Sequence, residues 1–230
     1  MIKLPDADLY IFDLDDTLIN TREAYFSAQE TAIRKVLPEL VNPSLADRLA
    51  DLKWFCRLFG SGQPDNYFAA FIASLPSPSA EHEKVVTSLV DVYHIAFQSN
   101  LRCLDGAQPF LQSLINQKKK LALVSNGKTI SQLNKLQITG LEPFFAESTR
   151  FISETVPPTL KKPSPHLLKL ACLNADIEPA CAIFFGNSPE DILAGNLAGV
   201  TTVLIGKDPV FNQKIPDIGQ PNFRIDHWGE

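Results

Sequence analysis

The chain has 230 residues, of which 45% are hydrophobic, and its 21 basic and 26 acidic side chains give a formal net charge of −5. This composition excludes general disorder, and the length is sufficient for one α/β domain with a smaller inserted domain. The mildly acidic balance disfavours nucleic acid and membrane surfaces as partners, and no segment approaches the ~20 apolar residues that span a bilayer.

Short apolar runs bounded by turn residues predict a parallel sheet that is covered on both faces. The first run covers residues 8–14. The later runs are Leu121–Ser125, Phe144–Ser148, Ala182–Gly186 and Thr201–Ile205, with Asn222–Ile225 as a last, weaker strand. Amphipathic helices are predicted between them over Gly106–Gln117, Thr129–Leu136, Pro165–Leu173 and Glu190–Ala198. This strand–helix alternation predicts an α/β fold with a doubly wound, Rossmann-like parallel sheet.

Residues 19–103 differ from the rest of the chain because they contain no convincing strand pattern. Apolar side chains recur there with helical spacing in three segments, from Tyr25 to Val36, from Leu45 to Phe59 and from Val86 to Phe97. Breaks between helices are predicted at Gly60–Pro64 and Pro76–Ser79. We therefore predict a core domain of residues 1–18 and 104–230 and an inserted α-helical cap domain of residues 19–103. Ligands bind at the C-terminal ends of the strands in such sheets, and an insertion after the first strand is expected to lie over that end.

Four polar motifs fall at the ends of successive predicted strands. They are Asp13–Thr17 (DLDDT), Ser125–Lys128 (SNGK), Lys161–Pro165 (KKPSP) and Gly186–Asp191 (GNSPED). Asp13 and Asp15 can turn towards one pocket, where a hard cation such as Mg²⁺ would relieve their repulsion. Ser125 can hydrogen-bond an anion, and Lys162 can neutralise a phosphate as a point charge. Each motif alone is common in turns, but four in this order are not expected by chance.

In these four motifs, and across essentially its whole length, the chain resembles the haloacid dehalogenase (HAD) superfamily. Residues 19–103 resemble the helical cap domain found in the first cap class of this superfamily. The resemblance implies a Rossmann-like core, Mg²⁺ as the cofactor and an aspartyl-phosphate intermediate. We therefore expect a phosphatase, and the helical cap favours a small phosphorylated metabolite as its substrate.

The resemblance also implies a role for each matching residue. Asp13 is the nucleophile, and Asp15 is the acid that protonates the leaving oxygen and then the base that activates water. Thr17 supports the loop that holds them. The predicted contacts to the phosphoryl group are Ser125, Asn126 and Lys162, and the predicted metal ligands are Asp13, Asp15 through its backbone carbonyl, Asn187 and Asp191.

The fourth motif departs from the family pattern G-D-S-x-x-D, because Asn187 occupies its first acidic position. An amide oxygen can bind Mg²⁺, but it lacks the charge, so metal affinity is expected to fall, and Asp191 becomes a candidate direct ligand. A weakly active or non-catalytic phosphate-binding protein is therefore one alternative, and a phosphomutase that shares the first step is another. A dehalogenase is disfavoured because its chemistry needs neither Mg²⁺ nor the acid Asp15.

The cysteines and the cap provide two further expectations. Four cysteines without a CxxC pair predict buried, reduced thiols, and with no apolar signal-peptide segment at the start they favour a cytoplasmic protein. In the cap, the candidate substrate contacts are Arg22, Lys53, Trp54 and Arg57.

Overall fold

The computed structural model describes residues 4–40, 45–60, 62–75, 81–207 and 209–229. The chain divides into two compact units, one formed by Met1–Asn20 with Arg102–Glu230 and the other by Thr21–Leu101. The predicted domain boundaries differ from this division by two residues at each junction. We refer to the two units as the core and the cap.

The core contains a six-stranded sheet in which every neighbouring pair of strands is parallel. The strands lie in the order β3-β2-β1-β4-β5-β6, so β1 is central and the chain order reverses beside it. All four residues of β1 are buried, as expected for a strand covered on both faces. The predicted doubly wound α/β fold is confirmed. The strands are β1 (Leu9–Phe12), β2 (Lys120–Ser125), β3 (Arg150–Ile152), β4 (Ala182–Gly186), β5 (Thr201–Ile205) and β6 (Phe223–Ile225).

The predicted strand Phe144–Ser148 is wrong, because the third strand comes later, as β3. Phe145 is fully buried against Phe12, with ring centroids 6.1 Å apart. However, its backbone N–H bonds the carbonyl of Glu142 at 3.3 Å, which is the local bonding of a 3₁₀ turn. Burial of an aromatic side chain therefore explains the apolar run without a strand.

Eight α-helices occur in the described part of the chain. Those of the core follow the predicted segments to within two residues. Helix α8 begins with a capping box between Ser188 and Asp191 and ends at Gly199, whose φ of 83° is the left-handed conformation that glycine adopts without strain. The helices are α1 (Thr21–Val36), α2 (Leu45–Phe59), α3 (Pro64–Ala73), α4 (His82–Asn100), α5 (Ala107–Asn116), α6 (Thr129–Ile138), α7 (His166–Ala175) and α8 (Pro189–Ala198).

The cap consists of α1–α4, which pack around one apolar cluster. Helix α3 was not predicted, although it buries Tyr67, Phe68, Phe71 and Ile72 at helical spacing. It begins at Pro64, the last residue of the predicted break at 60–64. The predicted break at 76–79 lies outside the described residues. No helix in the described ranges is long and apolar enough to cross a membrane.

The four cysteines are all free thiols. Cys172 is buried in the core, where burial raises the pKa of its thiol to about 11. Cys181 is exposed, so the prediction that it is buried is wrong. It ends a 3₁₀ turn just before β4, where its backbone N–H donates to the Glu178 carbonyl and its carbonyl accepts the Asp8 N–H.

Candidate active site

The carboxyl ends of β1, β2 and β4 lie at one edge of the sheet because the three strands are parallel neighbours. Asp13 directly follows β1, and its N–H bonds the Phe185 carbonyl of β4 at 2.9 Å. Ser125 is the last residue of β2, and Asn187 directly follows β4. Three of the predicted motifs therefore meet beside the central strand, where ligands bind in doubly wound sheets.

Lys162 joins two of these strand ends through a buried ammonium group. Its Nζ lies 2.6 Å from Asp13 Oδ1 and 2.6 Å from Asp191 Oδ1, and it also donates to the Val124 carbonyl at 3.2 Å. All three charged side chains are less than 10% exposed. A buried charge is tolerated only where it is paired in this way.

The Asn126 side chain holds Lys162 in place by bonding to the Lys162 backbone. The Asn126 side chain donates to the Lys162 carbonyl at 2.9 Å and accepts the Lys162 N–H at 3.1 Å. Both functional ends of this amide are thus used within the protein. Asn126 was predicted as a contact to the substrate, but its side chain is engaged in locating the lysine.

The ionisation of this cluster follows from its charges. Burial, together with the Asp191 and Asp15 carboxylates, raises the pKa of Asp13 to about 7, against the opposing effect of Lys162. Burial opposes the charge of Lys162, but the Asp13 and Asp191 carboxylates raise its pKa above the ordinary lysine value. The single Lys162 ammonium does not fully compensate the Asp13 and Asp191 carboxylates, and this cluster has a local excess of negative charge that a cation would relieve.

Asp191 is engaged entirely by neighbouring protein groups. Its Oδ2 accepts hydrogen bonds from the Asn187 N–H at 3.2 Å, the Ser188 N–H at 3.1 Å and the Ser188 hydroxyl at 2.7 Å, while Oδ1 pairs with Lys162. Gly186 permits this close approach, because a Cβ at that position would collide with the Asp191 side chain. Asp191 is therefore placed to orient Lys162 and the start of α8.

Thr17 lies between the oxygens that could hold a metal. Its hydroxyl is 3.3 Å from Asp13 Oδ2 and 3.4 Å from Asn187 Oδ1, so these two oxygens face the same small space. The Thr17 carbonyl accepts the Trp228 indole N–H at 2.8 Å, and this anchors the loop against the sheet. Carboxylate and amide oxygens suit Mg²⁺, so the donor set fits this ion, with one negative charge fewer than two carboxylates would supply.

No group of three or more His, Cys, Asp or Glu side chains suited to a metal occurs in the described ranges.

The Asp15 carboxyl group contacts helix α6. Its Oδ1 lies 2.6 Å from Lys135 Nζ, and its Oδ2 accepts a hydrogen bond from Gln132 Nε2 at 2.8 Å. Gln132 also donates to Ser125 Oγ at 2.7 Å. Neither Gln132 nor Lys135 was predicted as a site residue. The sequence signal that could have indicated them is their spacing, because polar residues at i and i+3 share one face of a helix.

The inward face of α6 is not simply its apolar one. Ile130 is 64% exposed, whereas the polar Gln132 is buried beside the fully buried Leu136. The helix thus directs amide and ammonium groups inward at the edge where Asp15 lies.

Two of the cap side chains that were predicted to contact the substrate pack against neighbouring rings of the cap. Lys53 Nζ lies 4.7 Å from the centre of the Phe26 ring, and Trp54 is 59% exposed beside Phe55. Their role towards a substrate stays a prediction, as do those of Arg22 and Arg57.

The model of the haloacid dehalogenase-like hydrolase family matches residues 10–205. Since this match covers most of the chain, the protein belongs to that family. Among curated proteins it is similar to the glyceraldehyde 3-phosphate phosphatase of Methanopyrus kandleri, with 28% identity over 223 residues that cover 94% of this chain and 91% of the relative. The predicted family and enzyme class, a phosphatase-like hydrolase, are confirmed.

Two solved structures show the same fold. A candidate beta-phosphoglucomutase from Thermotoga maritima has a TM-score of 0.71 and 18% identity, over 95% of this chain and 94% of that chain. The candidate HAD-hydrolase YfnB from Bacillus subtilis, solved with bound magnesium, has a TM-score of 0.66 and 22% identity, over 97% of this chain and 96% of that chain. At these identities the likeness concerns the fold alone.

Proposed function

We propose that this protein is a Mg²⁺-dependent phosphatase that releases phosphate from a small phosphorylated metabolite through an aspartyl-phosphate intermediate. The observation that carries the proposal is the buried Asp13 carboxylate, which lies at the end of the central strand with Lys162 Nζ at 2.6 Å. A carboxylate held beside a fixed cation is suited to attack a phosphoryl group, because the cation offsets the charge of the phosphoryl oxygens.

In the first half of the proposed reaction, a bond forms between an Asp13 oxygen and phosphorus, and the bond from phosphorus to the leaving oxygen breaks. Asp15 gives its proton to that oxygen. In the second half, Asp15 takes a proton from water, whose oxygen attacks phosphorus and releases phosphate and the free Asp13 carboxylate. The same carboxyl group thus serves as acid and then as base.

Ser125 and Lys162 are the proposed contacts to the transferring phosphoryl oxygens. Asn126 acts by locating Lys162, since its side chain is bonded to the Lys162 backbone. Thr17 holds the Asp13 oxygen that faces Asn187.

The residues that would hold Mg²⁺ are Asp13, Asn187 and the backbone carbonyl of Asp15. When bound, Mg²⁺ supplies positive charge that offsets the carboxylates and the phosphoryl oxygens. Asp191 is proposed as the residue that orients Lys162, and not as a direct ligand, because both of its oxygens are bonded to protein groups.

The test is release of phosphate from p-nitrophenyl phosphate by the purified chain, with Mg²⁺ and with a chelator. We expect turnover that requires Mg²⁺ and that Asp13→Asn lowers at least about 10³-fold, since the nucleophile is removed. Circular dichroism of Asp13→Asn checks that it is folded. Equal turnover by Asp13→Asn, or by the chelated protein, contradicts the proposal.

A panel of phosphorylated metabolites then identifies the substrate. Glyceraldehyde 3-phosphate belongs in this panel because the curated relative is named for it. A kcat/KM for one member at least about tenfold above that for the others supports a dedicated substrate.

A non-catalytic phosphate-binding protein is the second candidate, because Asn187 removes a charge from the metal site. Tight binding of a phosphorylated ligand by calorimetry, with no turnover at saturating Mg²⁺, would favour this candidate over the phosphatase.

A further inference from the structure

Helix α6 places two polar side chains, one turn apart, at the edge of the sheet that holds the candidate site. Gln132 is 1% exposed, and the Lys135 side chain is 16% exposed. Burying an amide and an ammonium on one helix face is unfavourable unless both find partners. Their partners are therefore informative about what the helix does.

Both residues hold the same carboxyl group. Lys135 Nζ lies 2.6 Å from Asp15 Oδ1, and Gln132 Nε2 lies 2.8 Å from Asp15 Oδ2. Two donors that approach the two oxygens separately fix the direction of the carboxyl group and also the rotation of its plane. One donor alone would leave that rotation free.

Gln132 connects this carboxyl group to the phosphoryl side of the site. Its Nε2 also lies 2.7 Å from Ser125 Oγ and 3.3 Å from the Asn126 carbonyl. Its Oε1 is buried and has no hydrogen-bond partner among the described residues. The amide therefore takes the orientation that serves its Nε2 acceptors, at the cost of an unpaired oxygen.

Gly127 provides the space for this arrangement. A Cβ at residue 127 would lie 3.0 Å from Gln132 Nε2 and 3.1 Å from its Cδ, which is closer than ordinary van der Waals contact. The glycine in the SNGK motif thus lets Gln132 reach Ser125 and Asp15 together.

We propose that Gln132 and Lys135 are positioning residues that direct the Asp15 carboxyl group towards the leaving oxygen, and then towards the attacking water, and keep it in register with Ser125. This inference rests on the proposed function, since it assigns Asp15 to proton transfer. A proton-transfer group works only within hydrogen-bond reach of its target, and a carboxyl group that rotates freely is rarely in that position.

A substrate whose leaving group needs no proton can distinguish this positioning role from a purely structural one. The p-nitrophenolate group leaves without needing a proton, so with p-nitrophenyl phosphate only the second half of the reaction depends on Asp15. Loss of positioning should slow hydrolysis of the aspartyl-phosphate and leave its formation intact. A general loss of site structure should slow both.

The experiment is rapid-mixing kinetics with p-nitrophenyl phosphate and Mg²⁺ on Gln132→Met and Lys135→Met. We expect steady-state kcat to fall about tenfold or more, while a burst of nitrophenolate remains within about threefold of the wild-type formation rate. Acid-quenched protein should carry more aspartyl-phosphate than the wild type does. Lys135→Arg, which keeps a charged donor, should recover part of the lost kcat.

Matched controls are Gln137→Met, an exposed position on the same helix, and Lys169→Met, an exposed lysine on α7. Thermal melting of all variants checks folding, and Lys135→Arg keeps the test available if a Met variant does not fold. Burst and steady state that fall together, or variants that behave like the controls, overturn the inference. If the wild type itself releases no phosphate, the proposed function has failed. If the wild type releases phosphate, Asp13→Asn does not, and the Gln132 and Lys135 variants give either of these contrary results, only the positioning role has failed.

Discussion

The core and the cap bury polar side chains in different ways. The core buries full charges, Asp13, Lys162 and Asp191, and each has an ionic partner at 2.6 Å. The cap buries Tyr25, Tyr67 and Tyr93, whose pKa values burial raises above the ordinary tyrosine value, so they stay neutral.

This difference suits two roles, a candidate reactive site in the core and a packing scaffold in the cap. Buried charges are costly, so a protein retains them where their interaction with a ligand or with one another is required. Buried tyrosines in contact with one another mainly supply apolar area and ring packing. We infer that the interior of the cap is a scaffold, and that any contribution of the cap to specificity comes from its surface.

The largest effect is expected from removing the cation that the core network shares. Lys162→Met leaves Asp13 and Asp191 buried without their partner, which should cost about 3–5 kcal/mol of unfolding free energy and abolish turnover. Urea denaturation and phosphate release measure the two effects. Lys169→Met is the control, with changes near zero. A Lys162→Met protein of wild-type stability would break the distinction between the two interiors.

In the cap, substitutions are expected to lower the free energy of unfolding in proportion to the apolar area that they remove from the interior. Leu52→Ala removes a fully buried side chain of α2 and should cost about 2–5 kcal/mol. Leu58→Ala on the same helix, where the side chain is 62% exposed, should change stability by less than about 0.5 kcal/mol. Equal effects of the two substitutions in thermal melting would contradict the burial of Leu52 and the exposure of Leu58.

The contribution of Asp13 to the stability of the metal-free protein should fall as the pH rises above about 4. Because the pKa of Asp13 is raised, from 3.8 to about 7, the folded protein binds this proton more tightly than the unfolded chain does. Its stabilising contribution is complete below about pH 4 and is lost as the pH rises through about 7, with a slope of at most about 1.4 kcal/mol per pH unit. Urea denaturation at a series of pH values, compared with Asp13→Asn, isolates this contribution. A difference between the two proteins that does not vary over this range would contradict the raised pKa.

The smallest effect is expected from Asn187→Asp. It adds a charge to the candidate magnesium site and should tighten Mg²⁺ binding by about tenfold, since carboxylate binds this ion better than amide does. Calorimetry measures the affinity, and the Mg²⁺ dependence of turnover provides a second readout. Unchanged affinity would mean that the missing charge does not limit this site.

The ends of β4 and β5 could be predicted to the residue, because each is an apolar run with turn residues on both sides. The position of β3 could not be predicted in this way. The apolar side chain of Phe145 packs against Phe12, but its backbone forms a turn and not a strand. Helix α3 was missed because its apolar residues lie between two predicted breaks in a region read as three helices.

For the candidate site, Asp13, Asp15, Ser125 and Lys162 could be predicted from the sequence, because motif spacing at strand ends is a local property. The partners of these residues were decided by the tertiary structure. Gln132 and Lys135 are more than one hundred residues from Asp15 in the chain, and only the packing of α6 against the sheet brings them to its two oxygens. Local spacing therefore determined which groups are the candidates for the site, whereas long-range packing decided which groups contact them and from what direction.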